Sequence, residues 1–73
     1  MVMERNEENI IGFSIKSARK IANMSQQQLA EKIGTSHAAI SYWENGVNIP
    51  NVLDCWKIAD ILNITIDELI GRG

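Results

Sequence analysis

The sequence has few of the residues that build crosslinked, metal-bound or membrane-spanning proteins. Its 73 residues include one cysteine, one histidine and one proline. A single cysteine cannot form an internal disulfide, and one cysteine with one histidine cannot supply the four ligands of a structural zinc site. No apolar run approaches the ~20 residues that a membrane-spanning helix needs. We therefore expect one small cytoplasmic domain without a metal, a cofactor, a membrane contact or a small-molecule ligand.

Sets of catalytic residues are also missing from the sequence. No carboxylate pair, nucleophile–base set or glycine-rich phosphate loop stands out. We identify no catalytic residue and do not expect an enzyme.

Positive charge is scarce as well, and it is unevenly distributed. The formal net charge is −2. Residues 10–45 contain four lysines and arginines against two glutamates, whereas residues 1–9 and 46–73 each carry a net charge of −2. We interpret residues 1–9 as an acidic, flexible segment that precedes a folded domain over residues 10–71. Only the middle of the chain has the sign of charge expected of a surface that binds nucleic acid.

The apolar residues recur at helical rather than strand spacing, which predicts an all-helical domain. Asn23 can end a first helix whose inner positions recur at steps of three and four: Ile11, Ile15, Ala18 and Ala22. Ser25 begins a second helix, with Gln28 three residues later as a capping box requires, and Gly34 ends it.

A fourth and a fifth helix follow from similar signals. Pro50 and Asn51 open the fourth helix, which has apolar positions along one face: Val52, Cys55, Ala59 and Leu62. Thr65 and Glu68 repeat the capping-box spacing at the start of a short fifth helix that ends at Gly71. We assign Cys55 to the core and Trp56 to the edge of the core.

The second and third helices are joined by too few residues to lie antiparallel. Gly34 and Thr35 predict a sharp turn, and Thr35 or Ser36 can cap the third helix. Ala30 is small where the two helices must cross closely, and the core-facing positions are apolar: Leu29, Ile33, Ile40 and Trp43. This combination predicts a helix-turn-helix over residues 26–44, a unit whose second helix can enter the major groove of DNA.

Three stretches carry a family resemblance. MSQQQLAEKIGTS (residues 24–36), ISYWENG (40–46) and ITIDEL (64–69) resemble the phage repressor/Cro-like (XRE) helix-turn-helix family. The resemblance implies a five-helix, lambda-repressor-like fold in which residues 36–44 form the recognition helix. It also implies a bacterial or phage protein, associated with the nucleoid, that binds a palindromic operator as a two-fold dimer.

The resemblance assigns roles on the outward side of the third helix, because Ile40 and Trp43 point inward. Four residues are expected to read DNA bases: Ser36, His37, Ala38 and Tyr42. Four more are expected to contact the DNA backbone: Gln26, Ser41, Asn45 and Asn48. The loop that contains Asn48 has no lysine or arginine, so we expect weaker non-specific binding and a shallower salt dependence than in many relatives.

Arg19 and Glu44 are interpreted as structural rather than DNA-binding residues. Each lies four residues after an inward position, where an isolated charge would be costly. The resemblance pairs them in a partly buried salt bridge between the first and third helices.

The chain has more isoleucines than so small a core needs. We expect some of them to form a self-association surface near the fifth helix: Ile49, Ile61, Ile64, Ile66 and Ile70. Phe13 and Ile21 lie off the inner face of the first helix and can form a second exposed apolar patch.

Three hypotheses for function remain open at this stage. The leading one is a sequence-specific regulator of transcription, a repressor that binds double-stranded DNA through the recognition helix. It would act as a homodimer that forms through the helix 5 region. The second keeps the fold but makes the protein an antitoxin or a restriction–modification controller. The third is a protein-interaction module that does not bind DNA, which the acidic balance favours.

Overall fold

The computed structural model describes residues 9–71, and within them the chain forms five α-helices and no strand. The helices are α1 (Ile10–Ile21), α2 (Gln26–Ile33), α3 (His37–Glu44), α4 (Val52–Leu62) and α5 (Ile66–Ile70). The predicted all-α, five-helix architecture is confirmed. Of the segment interpreted as flexible, residues 1–8 lie outside the described part, and Asn9 directly precedes α1. No helix in the described residues is long and apolar enough to cross a bilayer.

Side-chain caps begin the helices where the sequence indicates them. Ser25 Oγ accepts a hydrogen bond from the Gln28 N–H at 3.0 Å, and Gln28 Oε1 accepts one from the Ser25 N–H at 2.8 Å. Thr65 and Glu68 form the same reciprocal pair at the start of α5. Gly34 ends α2 with φ at 89°, a left-handed conformation that favours glycine. These boundaries depend on local signals, which is why the sequence predicts them closely.

A single core lies where the five helices meet. α1 packs on α3 and α5, while α2 packs on α3 and α4. The apolar side chains at the centre come from every helix: Ile15, Leu29, Ala30, Ile33, Ile40, Trp43, Ile58, Ala59, Leu62 and Leu69. The core therefore fixes the second and third helices from behind and leaves their outer sides exposed.

Gly12 allows α1 to approach the end of α3 closely. The residue is buried, and a Cβ added there would collide with the Trp43 carbonyl oxygen and lie 2.9 Å from that of Glu44. Backbone atoms cannot move aside as a flexible side chain can, so a larger residue would push the two helices apart. The sequence patterns give no sign of this contact, because it depends on how two distant helices pack.

Three residues assigned to inner or core-edge positions are exposed instead. Ala22 follows the last residue of α1 and faces solvent. In α4, Val52 is 84% exposed and Trp56 is 67% exposed, so placing Trp56 at the edge of the core was wrong. Val52 and Trp56 are four residues apart and share one side of α4, whereas the buried side is centred on Ile58. Of the four apolar positions predicted along one face of α4, Ala59 and Leu62 are buried and Cys55 packs against the core, so the spacing gave the inward side correctly except at its first position.

The surplus isoleucines divide into two groups. Ile61 and Ile64 are partly buried and pack against the core. The others are exposed: Ile49, Ile66 and Ile70. Phe13 and Ile21 are exposed as well, on α1.

Candidate nucleic-acid interface

The N-terminal end of α2 is suited to bind a phosphate. The Ser25 hydroxyl accepts from the Gln28 N–H, but the first N–H groups of a helix have no acceptor within it. This end of the helix also carries the positive pole of the helix dipole. Gln26 is the first residue of α2 and is half-buried, whereas Gln27 is exposed and donates to Glu31. An anion approaching α2 would therefore meet backbone donors beside the Gln26 side chain.

A tight turn joins α2 to α3. The N–H groups of Gly34 and Thr35 both donate to the Ala30 carbonyl oxygen, at 2.8 and 2.9 Å. Ser36, rather than Thr35, caps α3, because its Oγ accepts from the Ala39 N–H at 3.1 Å. The helix itself therefore begins at His37. This turn directs α3 away from α2 within three residues.

The outer side of α3 carries three of the four residues expected to read bases. His37, Ala38 and Tyr42 are exposed, while Ile40 and Trp43 are buried beneath them. Ser36 lies at the same end of the helix, but its hydroxyl oxygen is occupied by the cap, which leaves its O–H to donate. We call the exposed surface formed by Ser36, His37, Ala38 and Tyr42 the reading surface.

A chain of hydrogen bonds lies behind the reading surface. Arg19 Nε donates to Glu44 Oε2 at 2.7 Å, and Arg19 Nη2 donates to Glu44 Oε1 at 3.1 Å. Gln26 Nε2 donates to the same Oε1 at 3.0 Å, and Gln26 Oε1 lies 2.7 Å from His37 Nε2. The chain thus links α1 to α3 and continues through α2 to the exposed His37 ring.

The salt bridge within this chain is shielded from solvent. The Arg19 and Glu44 side chains are 10% and 2% exposed. A third Arg19 nitrogen, Nη1, donates to the Met24 carbonyl oxygen at 2.9 Å. Arg19 is therefore a buried structural cation, and its charge does not face an approaching DNA.

The four residues expected to contact the DNA backbone do not form one cluster. Gln26 belongs to the hydrogen-bond chain just described. Asn45 Nδ2 donates to Ser41 Oγ at 3.3 Å, so these two side chains lie together at the end of α3. Asn48 is exposed in the loop between α3 and α4. This arrangement places candidate donors at both ends of the helix-turn-helix.

Within residues 9–71, the exposed positive charge near this unit is carried by lysines. Lys16 and Lys20 on α1 and Lys32 on α2 are exposed. Since Arg19 is paired with Glu44, the excess of two positive charges in residues 10–45 comes from these three lysines set against Glu31. Long-range attraction to DNA is therefore weak for this surface, and short-range contacts matter more.

A second surface is apolar. An open groove of about 340 Å³ lies between the start of α1, the start of α4 and α5. We call it the apolar groove, and its lining residues are Ile11, Pro50, Val52, Cys55, Trp56, Ile66 and Ile70. Burial, and secondarily the charge of Asp54, raises the pKa of the Cys55 thiol. A groove of this composition is suited to bind another apolar surface.

The sequence patterns assigned Ile66 and Ile70, on the α5 side of the groove, to a self-association surface, but they missed the α4 side. Val52 and Trp56, and likewise Ile66 and Ile70, are pairs of large apolar residues spaced four apart. Each pair lies on one side of its helix, and each helix already has a separate inner side. A helix with two apolar sides can turn only one of them to the core, so the other side is exposed. The contact of Gln26 with Glu44 was also missed, since it joins two helices at a distance that spacing cannot predict.

Comparison with known proteins now identifies the class. The helix-turn-helix family model matches residues 15–69, and the chain belongs to that family. It is 41% identical over 58 residues to the cryptic phage CTXphi transcriptional repressor RstR of Vibrio cholerae. It is 38% identical over 69 residues to the transcriptional activator BcrR of Enterococcus faecalis, and 33% identical over 63 residues to the transcriptional regulator YazB of Bacillus subtilis. The resemblance to phage repressor/Cro-like (XRE) proteins is confirmed.

The matched portions differ in extent. The alignments cover 80%, 94% and 86% of this chain, but 52% of RstR, 31% of BcrR and 91% of YazB. The chain therefore spans about half of RstR and a third of BcrR. What the similarity establishes directly is a regulator-type DNA-binding domain.

Solved structures agree on the fold. The P22 c2 repressor, crystallised with a synthetic operator, superposes with a TM-score of 0.81 at 28% identity, over 86% of this chain and 96% of that one. The repressor LexA of Eubacterium rectale superposes with a TM-score of 0.82 at 27% identity, over 96% of this chain and 73% of that one. The restriction–modification controller C.AhdI of Aeromonas hydrophila superposes with a TM-score of 0.79 at 24% identity, over 85% of this chain and 94% of that one. This likeness shows a shared fold.

Proposed function

We propose that this protein is a sequence-specific, double-stranded DNA-binding transcriptional repressor that acts as a homodimer on a palindromic operator. The observation that carries the proposal is the exposed side of α3 beside the free N-terminal end of α2. In a helix-turn-helix, the helix that corresponds to α3 enters the major groove, and the helix that corresponds to α2 crosses the DNA backbone. The similarity to RstR and to the P22 c2 repressor supports repression.

We assign base reading to the reading surface and backbone contact to the polar residues around it. His37 and Tyr42 can exchange hydrogen bonds with base edges, and Ala38 can contact a thymine methyl group. The backbone contacts are assigned to Gln26, Ser41, Asn45 and Asn48. These eight residues include no lysine or arginine, so positioning would depend on polar donors more than on fixed positive charge.

We assign dimerisation to the apolar groove, with a second copy of the chain as its occupant. The groove contains Ile66 and Ile70 of α5, the helix to which the sequence assigned self-association. Its exposed tryptophan, Trp56, is of the residue type that most often dominates the energy of an interface. One recognition helix reads few base pairs, so two copies on half-sites about 34 Å apart provide the specificity that one copy lacks.

Selection from randomised duplexes tests this proposal. The protein is mixed with a random pool, bound duplexes are recovered over several rounds, and the enriched sequences are compared. We expect two inverted half-sites whose centres are separated by about one helical turn. Enrichment of a single asymmetric site would contradict the dimer, and no enrichment from a folded protein would contradict sequence-specific binding.

The position of the operator distinguishes repression from activation, the activity for which BcrR is named. A DNA-binding domain can repress transcription by covering a promoter. We therefore expect the selected sequence to overlap promoter elements in the genome and binding to lower transcription in a purified system. An increase in transcription from the same template would contradict the repressor assignment.

A further inference from the structure

Glu44 determines how the Gln26 amide must be oriented. Glu44 forms a salt bridge with Arg19 in which both carboxylate oxygens accept hydrogen bonds, and a salt-bridged carboxylate offers only acceptors. The Gln26 atom 3.0 Å from Glu44 Oε1 must therefore be the amide nitrogen. The reversed amide would set two oxygen acceptors against each other in a shielded site, which is costly.

The orientation of Gln26 in turn determines the protonation of His37. With its nitrogen turned to Glu44, Gln26 presents its amide oxygen to His37 Nε2 at 2.7 Å. An amide oxygen only accepts, so Nε2 must carry the proton and donate. In the neutral ring the other nitrogen, Nδ1, then has no proton and is an acceptor.

We propose that Gln26 and Glu44 act as positioning residues that hold neutral His37 in its Nε2–H form, so that Nδ1 selects an amino group on a DNA base. The major groove offers two such donors, N6 of adenine and N4 of cytosine, whereas guanine offers only acceptors, N7 and O6. The base selection rests on the proposed function. The proton position does not, because it is a property of the free protein.

The single histidine of the chain makes the proton position directly measurable. Long-range ¹H–¹⁵N correlation spectra of the free protein, recorded with the ring in its neutral form, distinguish a protonated from an unprotonated ring nitrogen. We expect Nε2 to be the protonated nitrogen in the unaltered protein. Gln26→Met removes both hydrogen bonds of the amide, so the two ¹⁵N frequencies should move from those of a pure Nε2–H form towards those of a free histidine side chain, in which both tautomers are populated.

Gln26→Lys reverses the restraint. A lysine only donates, so it can satisfy Glu44 but would require His37 Nε2 to accept. The proton should then move to Nδ1. The matched controls are Gln27→Met and Gln27→Lys, which make the same changes one residue away at an exposed side chain outside the hydrogen-bond chain. Both controls should leave the ring frequencies unchanged.

Two spectral outcomes overturn the proposal. One is a neutral ring protonated at Nδ1 in the unaltered protein. The other is identical ring frequencies in the unaltered protein and in folded Gln26→Met. Backbone amide spectra establish that each variant is folded, so neither result can be attributed to unfolding.

Selection from randomised duplexes tests the second half of the proposal. We expect one position per half-site to require adenine or cytosine on the strand that faces His37. His37→Ala should lower discrimination there by about tenfold, a small value for one base contact. Gln26→Lys should shift that position towards guanine or thymine, which offer acceptors and no amino group in the major groove. Selection of guanine or thymine by the unaltered protein at the position that depends on His37 would overturn the proposal.

Failure of the proposed function would look different. A protein that binds no duplex at low salt, yet keeps its proton on Nε2 until Gln26 is replaced, would refute DNA binding and base selection. The same result would uphold the action of Gln26 and Glu44 on His37.

Discussion

The reading surface and the apolar groove differ in how their side chains are held. Behind the reading surface, Arg19, Glu44 and Gln26 form a continuous chain of hydrogen bonds that ends at His37. The apolar groove has no comparable polar support: among its described contacts, the Cys55 thiol donates to the Pro50 carbonyl oxygen at 3.6 Å. Its exposed side chains include Trp56, which is 67% exposed.

This difference indicates two separate tasks. A surface that distinguishes bases needs donors and acceptors at fixed positions, which buried polar neighbours provide. A surface that binds a second copy needs apolar area, and its own side chains can adjust on contact. Since little net positive charge accompanies either surface, we expect affinity for DNA to depend on fixed polar contacts and on dimerisation together.

The largest expected effect comes from breaking the salt bridge behind the reading surface. Arg19→Met should lower the free energy of unfolding by about 3–5 kcal/mol, because it leaves the Glu44 carboxylate buried without its cation. Urea denaturation followed by circular dichroism measures this loss. The double variant Arg19→Met/Glu44→Met should recover most of it, since neither charge then remains buried. A loss below about 1 kcal/mol in the single variant would contradict a buried, structural pair.

The apolar groove can be disrupted without touching the reading surface. Trp56→Glu should weaken dimerisation by about 2–4 kcal/mol, the range of a dominant interface residue, and should leave the unfolding free energy of the monomer almost unchanged. Sedimentation equilibrium measures the dimer. Leu53→Glu is the matched control, because Leu53 is an exposed apolar residue of α4 that does not line the groove. Equal effects of both variants would show that the groove is not the dimer interface.

A smaller effect is expected where α1 meets α3. Gly12→Ala should destabilise the domain by about 1–3 kcal/mol through overpacking, although alanine is the better helix former by about 1 kcal/mol. Thermal and urea unfolding measure the change. Lys16→Ala, at an exposed position of the same helix, should stay within about 0.5 kcal/mol of the original protein. A stabilised Gly12→Ala protein would contradict the close approach of the two helices.

These residues also show what sequence can and cannot predict. Caps such as Ser25 with Gln28 were predictable, because every atom involved lies within one helical turn. Trp56 was misplaced, because α4 has a second apolar side, which Trp56 shares with Val52 and which faces the apolar groove instead of the core. Gly12 was overlooked and the contact between Gln26 and Glu44 was missed, since both depend on the packing of helices far apart in the chain.

The smallest expected effect concerns the chemistry of the apolar groove. The pKa of Cys55 is raised, first by burial and then by Asp54, so the folded chain favours the neutral thiol. Because the folded pKa lies above the unfolded one, this contribution to stability is complete below the unfolded pKa and is lost as the pH rises through the folded pKa. At about pH 8, iodoacetamide should alkylate the folded protein a few-fold more slowly than the urea-unfolded chain. Equal rates would contradict the raised pKa.

The balance between fixed contacts and charge is tested most directly by the salt dependence of binding to the selected operator. Affinity for that duplex and for a random duplex is measured across a series of salt concentrations, and the logarithm of the binding constant is plotted against that of the salt concentration. We predict a slope shallower than about −4 on the operator, and weak binding to the random duplex, because few cations replace counterions at the phosphates. A slope of about −7 or steeper, with comparable affinity for both duplexes, would show that charge dominates and would contradict the account.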